Sequence, residues 1–207
     1  GATLNQTEKE VVLKTVIESN QNRLPIVLGI GGNNTAEIIS QINKQSFEQI
    51  SAILSVVPYY TKPTQDGMFA HFSAIAETCP LPIILYNVPS RSGVNMKAET
   101  TLKLAEKYSN IVAIKEASGD MLQIMEILKN KPSHFEVISG DDALTMPLIA
   151  LGAIGVISVA ANAFCRQFSD MVQLQLDNKT FEARKLHFKM LKMIELLFID
   201  GNPAGVK

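Results

Sequence analysis

Six short apolar runs, rich in β-branched residues, constrain the fold of this chain more than any other feature of its sequence. They start roughly 20 to 30 residues apart, at Pro25–Gly29, Ala52–Val57, Pro82–Leu85, Ile111–Ile114, Phe135–Ile138 and Gly155–Val159. Each run is continuously hydrophobic rather than alternating, which is typical of parallel strands that are buried on both faces of a sheet. The runs therefore predict six parallel strands.

Helical patterns fill the gaps between the runs. Thr7-Glu8-Lys9-Glu10 predicts a capping box that starts the first helix, and Thr35 leads into the second. Three further helices are predicted over Gly67–Thr78, Ala98–Tyr108 and Met121–Leu128, and two consecutive ones over Phe164–Leu176 and Thr180–Ile199. Because strands and helices alternate along most of the chain, the predicted fold class is α/β.

The balance of charges argues against a nucleic-acid or membrane partner. Nineteen basic and twenty acidic residues are spread over 207 positions without a long block of either sign. Ala143–Phe164 has 22 residues without a charge, enough to cross a bilayer, but Pro147, Gly152 and Gly155 interrupt it. A buried helix followed by a buried strand explains this segment better.

The cysteines and histidines do not suggest a disulfide framework or a metal site. Cys79 and Cys165 lie 86 positions apart without a CxxC pattern, which is typical of inert thiols in a reducing compartment. The three histidines are scattered without metal-ligand spacing. We therefore expect a cytoplasmic protein without a metal.

Polar residues concentrate where the predicted strands end. In parallel α/β folds, binding and catalytic sites form beyond the carboxyl ends of the strands. The glycine loop Gly29–Asn34 has Asn where the dinucleotide fingerprint needs its third glycine, which favours a tight turn over nucleotide binding. Asp141-Asp142 lacks a third ligand for a metal, which favours helix capping.

Lys115 directly follows the fourth apolar run, so it belongs to the strand. Burial disfavours the ammonium form, and a lysine whose pKa falls from about 10.4 towards neutrality becomes a Schiff-base nucleophile. The alternative is a strand-end lysine whose amine reaches solvent. The residues alone leave both interpretations open.

Three more polar residues lie near the same predicted edge. Tyr86 and Tyr60 end two earlier strands, where a phenol can pass protons, although two interior aromatics with satisfied hydroxyls would give the same pattern. Arg91 lies on a turn over the same face, where a guanidinium suits carboxylate recognition. An ordinary exposed arginine is the alternative.

Two motifs make the chain resemble the dihydrodipicolinate synthase family of pyruvate-dependent class I aldolases. They are Leu85-Tyr86-Asn87-Val88-Pro89-Ser90-Arg91-Ser92-Gly93 and Ile114-Lys115-Glu116-Ala117-Ser118-Gly119-Asp120. Supporting segments are Val57–Pro63, Ser139–Asp142, Gly155–Val159 and Asn202-Pro203. The resemblance covers essentially the whole chain in matching order and spacing, and Arg91 in its Ser-Arg-Ser-Gly setting favours the synthases over the sialic acid lyases.

The resemblance implies a (β/α)₈ barrel with a C-terminal helical domain, assembled as a homotetramer of tight dimers. Such barrels have about 250 residues, so the six predicted strands would be the third to the eighth. We expect residues 1–177 to form the barrel without its first two strands and residues 178–207 to begin the helical domain. By itself, this part of a longer enzyme is expected to fold poorly or to be inactive.

The resemblance also implies a reaction and roles for the site residues. Pyruvate would condense with L-aspartate semialdehyde, in lysine and diaminopimelate biosynthesis, to give 4-hydroxy-tetrahydrodipicolinate without a cofactor. Lys115 would form the Schiff base, Tyr86 would move protons, and Tyr60 would reach into the partner subunit's site. Arg91 would hold the semialdehyde carboxylate, and the backbone carbonyls of Gly140 and Ile157 would line the pyruvate pocket.

Two departures from the family pattern leave alternatives open. The family's Gly-Thr-Thr-Gly-Glu motif, which binds pyruvate and completes the proton relay, would precede Gly1. Ala2, Asn33, Glu37 and Tyr59 match the family's lysine-inhibition pocket, but Gln6 and Lys9 replace the histidines of lysine-sensitive members, which argues against allosteric lysine binding. The alternatives are a sugar-acid lyase, such as an N-acetylneuraminate or 2-keto-3-deoxy sugar-acid lyase, and a non-catalytic barrel.

Overall fold

A single parallel sheet organises the computed structural model, which describes residues 3–207. Its six strands lie side by side in chain order, and each neighbouring pair is parallel. The strands are β1 Val27–Gly29, β2 Ala52–Val56, β3 Ile83–Asn87, β4 Ile111–Glu116, β5 Glu136–Ser139 and β6 Gly155–Val156. The predicted α/β class and the six predicted strands are therefore confirmed, although β6 is shorter than its apolar run.

Nine helices accompany the strands within the described residues. They are α1 Gln6–Asn20, α2 Thr35–Lys44, α3 Gln65–Thr78, α4 Pro89–Ser92, α5 Ala98–Lys107, α6 Met121–Asn130, α7 Thr145–Ala150, α8 Cys165–Leu176 and α9 Thr180–Leu196. The uncharged segment Ala143–Phe164 contains α7 and β6, the helix and strand that were predicted, followed by a 3₁₀ turn. None of the helices in the described part is both long and apolar enough to span a membrane.

The start of α1 differs from the sequence prediction. The N-cap is Asn5 rather than Thr7: its side chain accepts from the Glu8 N–H, and the Glu8 carboxylate accepts from the Asn5 N–H. An asparagine side chain caps as well as a threonine, so the capping box moves two residues towards the N-terminus. The predicted box at Thr7–Glu10 is wrong for that reason.

The apolar residues of α1 are also not in the core. Val11, Val12 and Val16 are between 45% and 60% exposed. No residue of α1 is buried within the described chain. The apolar periodicity of this segment predicted the helix correctly, but it did not predict that the apolar face would be exposed in the described chain.

The two faces of the sheet carry very different cores. Between the sheet and the outer helices lies a large apolar layer that includes Ile53, Phe72, Ile83 and Leu85, all fully buried. On the opposite face, the buried apolar residues are the small cluster Ala52, Ile84 and Ala113. We call these the outer face and the inner face of the sheet.

A second apolar cluster joins the C-terminal helices to the end of the sheet. Met146 of α7, Phe168 and Met171 of α8, and Met190 and Ile194 of α9 form it. Phe168 and Met171 are at most 1% exposed. Because α8 packs on both α7 and α9, this cluster fixes the helical end of the molecule against the strand ends.

Candidate active site

Tyr86 and Lys115 lie side by side at the carboxyl end of the inner face. The two residues are register partners in the β3–β4 ladder. Side chains alternate along a strand, so Tyr86 follows Ile84, and Lys115 follows Ala113, on the inner face. Lys115 is only 8% exposed, and its Nζ lies 4.3 Å from the centroid of the Tyr86 ring. The predicted pair is therefore brought together.

The surroundings of Lys115 favour its neutral amine. Burial lowers the pKa of Lys115, and the positive charge of Arg91 lowers it further. The carboxylate of Asp142 acts in the opposite direction but is the weaker influence compared with burial. A lowered pKa increases the fraction of unprotonated amine at neutral pH, which is the form that attacks a carbonyl carbon.

The Tyr86 phenol is held in its protonated form. Burial raises the pKa of Tyr86, and the charge of Arg91 only partly opposes this effect. A protonated phenol beside a neutral amine supplies one proton donor and one nucleophile at the same place. This combination is what the addition of an amine to a carbonyl requires.

Gly140 occupies a position where no larger residue fits. A Cβ atom there would lie 2.7 Å from the Cβ of Ala117 and 3.1 Å from the Cε of Lys115. The Gly140 N–H donates to the carbonyl of Glu116 at 2.8 Å. The glycine therefore lets the end of β5 approach the backbone of Glu116 and the side chain of Lys115.

Ile157 is placed next along the sheet from Gly140. Its N–H donates to the carbonyl of Ser139 at 3.0 Å, and its side chain is half-buried. The structure thus brings Tyr86, Lys115, Gly140 and Ile157 to the ends of four successive strands, from β3 to β6.

Arg91 and Tyr60 are more exposed than the other predicted site residues. Arg91 lies on the short helix α4, and its Nη2 donates to the carbonyl of Asn202 at 3.2 Å. Tyr60 is 87% exposed, has a φ of +69°, and donates its N–H to the carbonyl of Ser92 at 3.3 Å. Arg91 affects both Tyr86 and Lys115 electrostatically, whereas the Tyr60 side chain stays outside the buried cluster.

The two aspartates after β5 cap backbone N–H groups. Asp141 Oδ1 accepts from the N–H groups of Ala143 and Leu144, ahead of α7. Asp142 Oδ2 accepts from those of Val159 and Ala160, at the 3₁₀ turn. The aspartates thus bind backbone N–H groups near two helix starts, as predicted, but neither is the N-cap residue, which is Leu144 for α7 and Val159 for the 3₁₀ turn. Within residues 3–207, no group of three or more His, Cys, Asp or Glu residues could hold a metal ion.

The glycine loop after β1 shows the close backbone approach that its sequence predicts, with a bend at Asn33 rather than a hydrogen-bonded tight turn. A Cβ on Gly31 would lie 2.9 Å from the backbone N of Val56, so this glycine permits close contact with β2. Beyond it, the Asn33 amide donates to the carbonyl of Tyr59 at 3.3 Å. This hydrogen bond makes neighbours of Asn33 and Tyr59, two residues that match the family's lysine pocket. Ala2, which also matches that pocket, lies outside the described residues.

Sequence reasoning missed the polar groups behind the strand ends. Asn87 and Glu116 are fully buried on the outer face, although each directly follows a predicted site residue. Their signal was an acid and an amide at the ends of otherwise apolar strands. Their partners Asn95 and Gln123, which lie outside the strands, carry no pattern that the sequence reveals.

An α/β fold with a buried lysine and a tyrosine at its strand ends defines a class of protein built for amine chemistry on a small carbonyl compound. The model of the dihydrodipicolinate synthetase family matches residues 1–207. The chain therefore belongs to this family.

Individual relatives agree with the family match. The 4-hydroxy-tetrahydrodipicolinate synthase of Parabacteroides distasonis is 53% identical over 205 residues, which cover 99% of this chain and 69% of that protein. The chain also resembles the crystal structure of dihydrodipicolinate synthase from Aquifex aeolicus, with a TM-score of 0.93 and 40% identity over 98% of this chain and 69% of that one.

A third relative was solved with a small ligand. It is the chloride-inhibited dihydrodipicolinate synthase from Acinetobacter baumannii in complex with pyruvate, which gives a TM-score of 0.94 at 38% identity. The match covers 99% of this chain and 70% of that structure.

Proposed function

We propose that this chain carries the Schiff-base site of a 4-hydroxy-tetrahydrodipicolinate synthase, a lyase of lysine biosynthesis that condenses pyruvate with L-aspartate semialdehyde. The observation that carries the proposal is the buried Lys115 amine, 4.3 Å from the centroid of the Tyr86 ring. The names of the relatives at 46% to 55% identity support the same activity.

The chemistry begins with the neutral Lys115 amine. Its Nζ lone pair attacks the keto carbon of pyruvate, and proton transfers convert the resulting carbinolamine into an iminium with loss of water. Loss of a proton from the pyruvate methyl group gives an enamine, whose carbon attacks the aldehyde of the semialdehyde. The lysine nitrogen is the electron sink throughout, so the reaction requires no organic cofactor or metal.

The other site residues serve the same steps. Tyr86, protonated and in contact with the lysine, would donate to the carbinolamine hydroxyl as it leaves as water. Arg91, whose guanidinium already donates to a carbonyl oxygen, would bind the semialdehyde carboxylate. Gly140 and Ile157 would direct their backbone carbonyls to the pyruvate pocket, consistent with their places at the ends of β5 and β6.

The exposure of Tyr60 supports a site that is shared between subunits. A tyrosine that is 87% exposed and has a positive φ is energetically unfavourable on the surface of an isolated subunit. We propose that it inserts into the partner subunit's site across a tight dimer, and that two such dimers form a homotetramer.

We further propose that the six strands are the third to the eighth of a (β/α)₈ barrel. Their uninterrupted parallel order supports this assignment. In the same proposal, residues 1–177 belong to the barrel, residues 178–207 begin a helical domain, and the protein works in the cytoplasm. Cys79 and Cys165, which are both free thiols, accord with a reducing compartment.

Borohydride trapping tests the proposed function. Incubation of the whole gene product with pyruvate and then borohydride should reduce the imine and add a carboxyethyl group to Lys115, as read by intact mass and peptide mapping. Lys115→Ala should abolish the adduct, while Lys129→Ala, an exposed lysine on α6, should retain it. A native protein that gains no mass would refute the Schiff base.

A substrate comparison separates the synthase from the lyases that share its chemistry. Without borohydride, the enamine formed from pyruvate should be consumed by L-aspartate semialdehyde in a coupled assay. Turnover with N-acetylmannosamine or other sugar aldehydes alone would instead identify a sugar-acid lyase and refute the synthase assignment.

A further inference from the structure

A buried polar network lies directly behind the Lys115–Tyr86 pair. One position further along the same ladder, Asn87 and Glu116 are register partners, and alternation places their side chains on the outer face. Both residues are fully buried. The inner pair and this outer pair are therefore consecutive rungs of one ladder, with opposite orientations.

The Glu116 carboxylate accepts hydrogen bonds at both oxygens. Oε1 accepts from the Asn87 amide at 3.2 Å and from the Ser118 N–H at 2.7 Å. Oε2 accepts from the Asn87 amide at 3.1 Å and from the Gln123 amide at 3.1 Å. These donors come from β3, from the loop after β4 and from α6, so the carboxylate joins three elements.

Two further amide contacts extend the arrangement into a closed network. Asn95 receives a hydrogen bond from Asn87 at 2.8 Å and donates one to Gln123 at 2.8 Å. The Asn87 side-chain oxygen accepts from the Met96 N–H at 3.0 Å, which fixes the orientation of that amide. We call Asn87, Asn95, Glu116 and Gln123 the Glu116 network.

Amide and backbone N–H groups donate to both oxygens of the carboxylate, an arrangement that suits the ionised form. Burial raises the pKa of Glu116, and the hydrogen bonds from Asn87, Ser118 and Gln123 oppose that rise. The four hydrogen bonds, at 2.7 to 3.2 Å, hold both oxygens of the carboxylate in place.

We propose that Glu116 is a positioning residue, whose network fixes the ends of β3 and β4 from the outer face and so sets the distance between Lys115 and Tyr86. This inference rests on the proposed Schiff-base function of Lys115. Asn87 is covalently adjacent to Tyr86, and Glu116 to Lys115. A shift of either outer side chain therefore moves the backbone that carries an inner one.

Glu116 acts through geometry rather than through its charge. The Glu116 side chain lies on the outer face of the sheet and the Lys115 side chain on the inner face, so the carboxylate and the amine point away from each other. Neutralising Glu116 should accordingly leave the pH at which Lys115 becomes reactive unchanged. The rate at that pH should fall, because displacing a nucleophile by about 1 Å can lower the reaction rate about 100-fold.

The test is Glu116→Gln in the whole gene product, measured by single-turnover borohydride trapping with pyruvate at a series of pH values. A glutamine keeps the shape but places an NH₂ group against the donors of Asn87 or Gln123. We expect the trapping rate at saturating pyruvate to fall about 10- to 100-fold. The pyruvate concentration for half-maximal rate should change far less, and the pH midpoint should be retained.

Controls separate positioning from loss of structure. Glu126→Gln, on the exposed face of α6, should trap pyruvate like the native protein. If Glu116→Gln does not fold, Gln123→Met tests the positioning role instead. It removes one hydrogen-bond donor to the Glu116 carboxylate, and residue 123 lies on α6, outside the site. Rates are compared only for protein that retains the native circular dichroism and melts above the assay temperature.

The outcomes distinguish the two levels of the argument. A native rate in folded Glu116→Gln and Gln123→Met would overturn the positioning role while leaving the Schiff base intact. A loss explained wholly by a shifted pH midpoint would overturn it as well. Native protein that traps no pyruvate would instead refute the proposed function, and with it the role of Glu116.

Discussion

At the scale of single residues, the site depends on space as much as on charge. Lys115 is confined by the Tyr86 ring on one side and by the backbone at Gly140 on another. Because Gly140 has no side chain, its backbone lies close to the lysine side chain and restricts the conformations that this side chain can adopt. This confinement excludes water from the lysine amine, and the resulting burial lowers the pKa of Lys115.

Gly140→Ala should therefore impair the reaction without removing any catalytic group. Its Cβ would collide with Ala117 Cβ at 2.7 Å and press on Lys115 Cε at 3.1 Å. We expect a stability loss of about 1 to 3 kcal/mol and a pyruvate-trapping rate at least about 10-fold lower. Urea unfolding and borohydride trapping would measure the two effects.

Gly29→Ala is the matched control for this substitution. Its Cβ would have no atom within 4 Å, and Gly29 lies at the end of β1, which is separated from β5 by three strands. It should trap pyruvate at the native rate. Equal trapping by Gly140→Ala and Gly29→Ala would contradict the steric argument.

At the scale of elements, the contact between α2 and α3 contains an acid-sensitive group. His71 of α3 is 5% exposed, and its Nδ1 shares a hydrogen bond with Thr35 Oγ1 of α2 at 2.8 Å. Its Nε2 is buried without a hydrogen-bond partner in the described chain. Burial lowers the pKa of His71 to about 4, from 6.5.

This pKa difference predicts acid destabilisation. Between pH 6.5 and about 4 the unfolded chain binds a proton that the folded chain does not, so stability falls as the pH falls through that window. The loss would amount to at most about 3 kcal/mol. His71→Asn, which can keep the bond to Thr35, should flatten the dependence of the unfolding free energy on pH in this range.

Urea unfolding at several pH values measures this slope. His134→Gln is the matched control, because His134 is exposed and bonds only a backbone carbonyl through Nε2. It should keep the native slope. The explanation would fail if His71→Asn and the native chain lost stability equally between pH 6.5 and 4.

The elements also show what the sequence could predict. All six strands follow from their apolar runs, because burial on both faces of a parallel sheet leaves no room for alternation. Two of them, β3 and β4, extend into polar residues that the runs excluded. A polar side chain is compatible with a strand when partners satisfy it, and those partners are Asn95 and Gln123, which lie outside the two strands.

The site was predictable to a similar extent. The strand-end rule located Lys115 and Tyr86, and their contact confirms that they form one cluster. The sequence could not predict the exposure of Tyr60, because positive φ and side-chain direction depend on the backbone of the loop. Nor could it predict Glu116 as the centre of a network that two amides from other elements complete.

At the scale of the whole molecule, two apolar clusters stabilise different parts. The large outer layer holds the sheet to its helices, whereas the second cluster holds α7, α8 and α9 together. The clusters share no buried residue. We therefore expect the helical end to open separately from the sheet.

Phe168→Ala should expose this division. Phe168 is 1% exposed, so its truncation should cost about 3 to 5 kcal/mol and increase hydrogen exchange in α8 and α9 before β2 to β4. Phe72→Ala, in the outer layer, is the matched variant and should loosen the sheet instead. Mass-spectrometric hydrogen exchange measures both, and equal loosening everywhere would show a single cooperative unit.

The opposite orientations of Lys115 and Glu116 have a consequence for the accuracy of folding. If β4 paired one residue out of register, every side chain would change face. The lysine would then enter the apolar outer layer, and the glutamate would lose its amide donors and enter the site. Such a misfolded sheet would bury a lysine among apolar side chains and leave a carboxylate without its amide donors, so two adjacent residues of the proposed site also disfavour the wrong strand alignment.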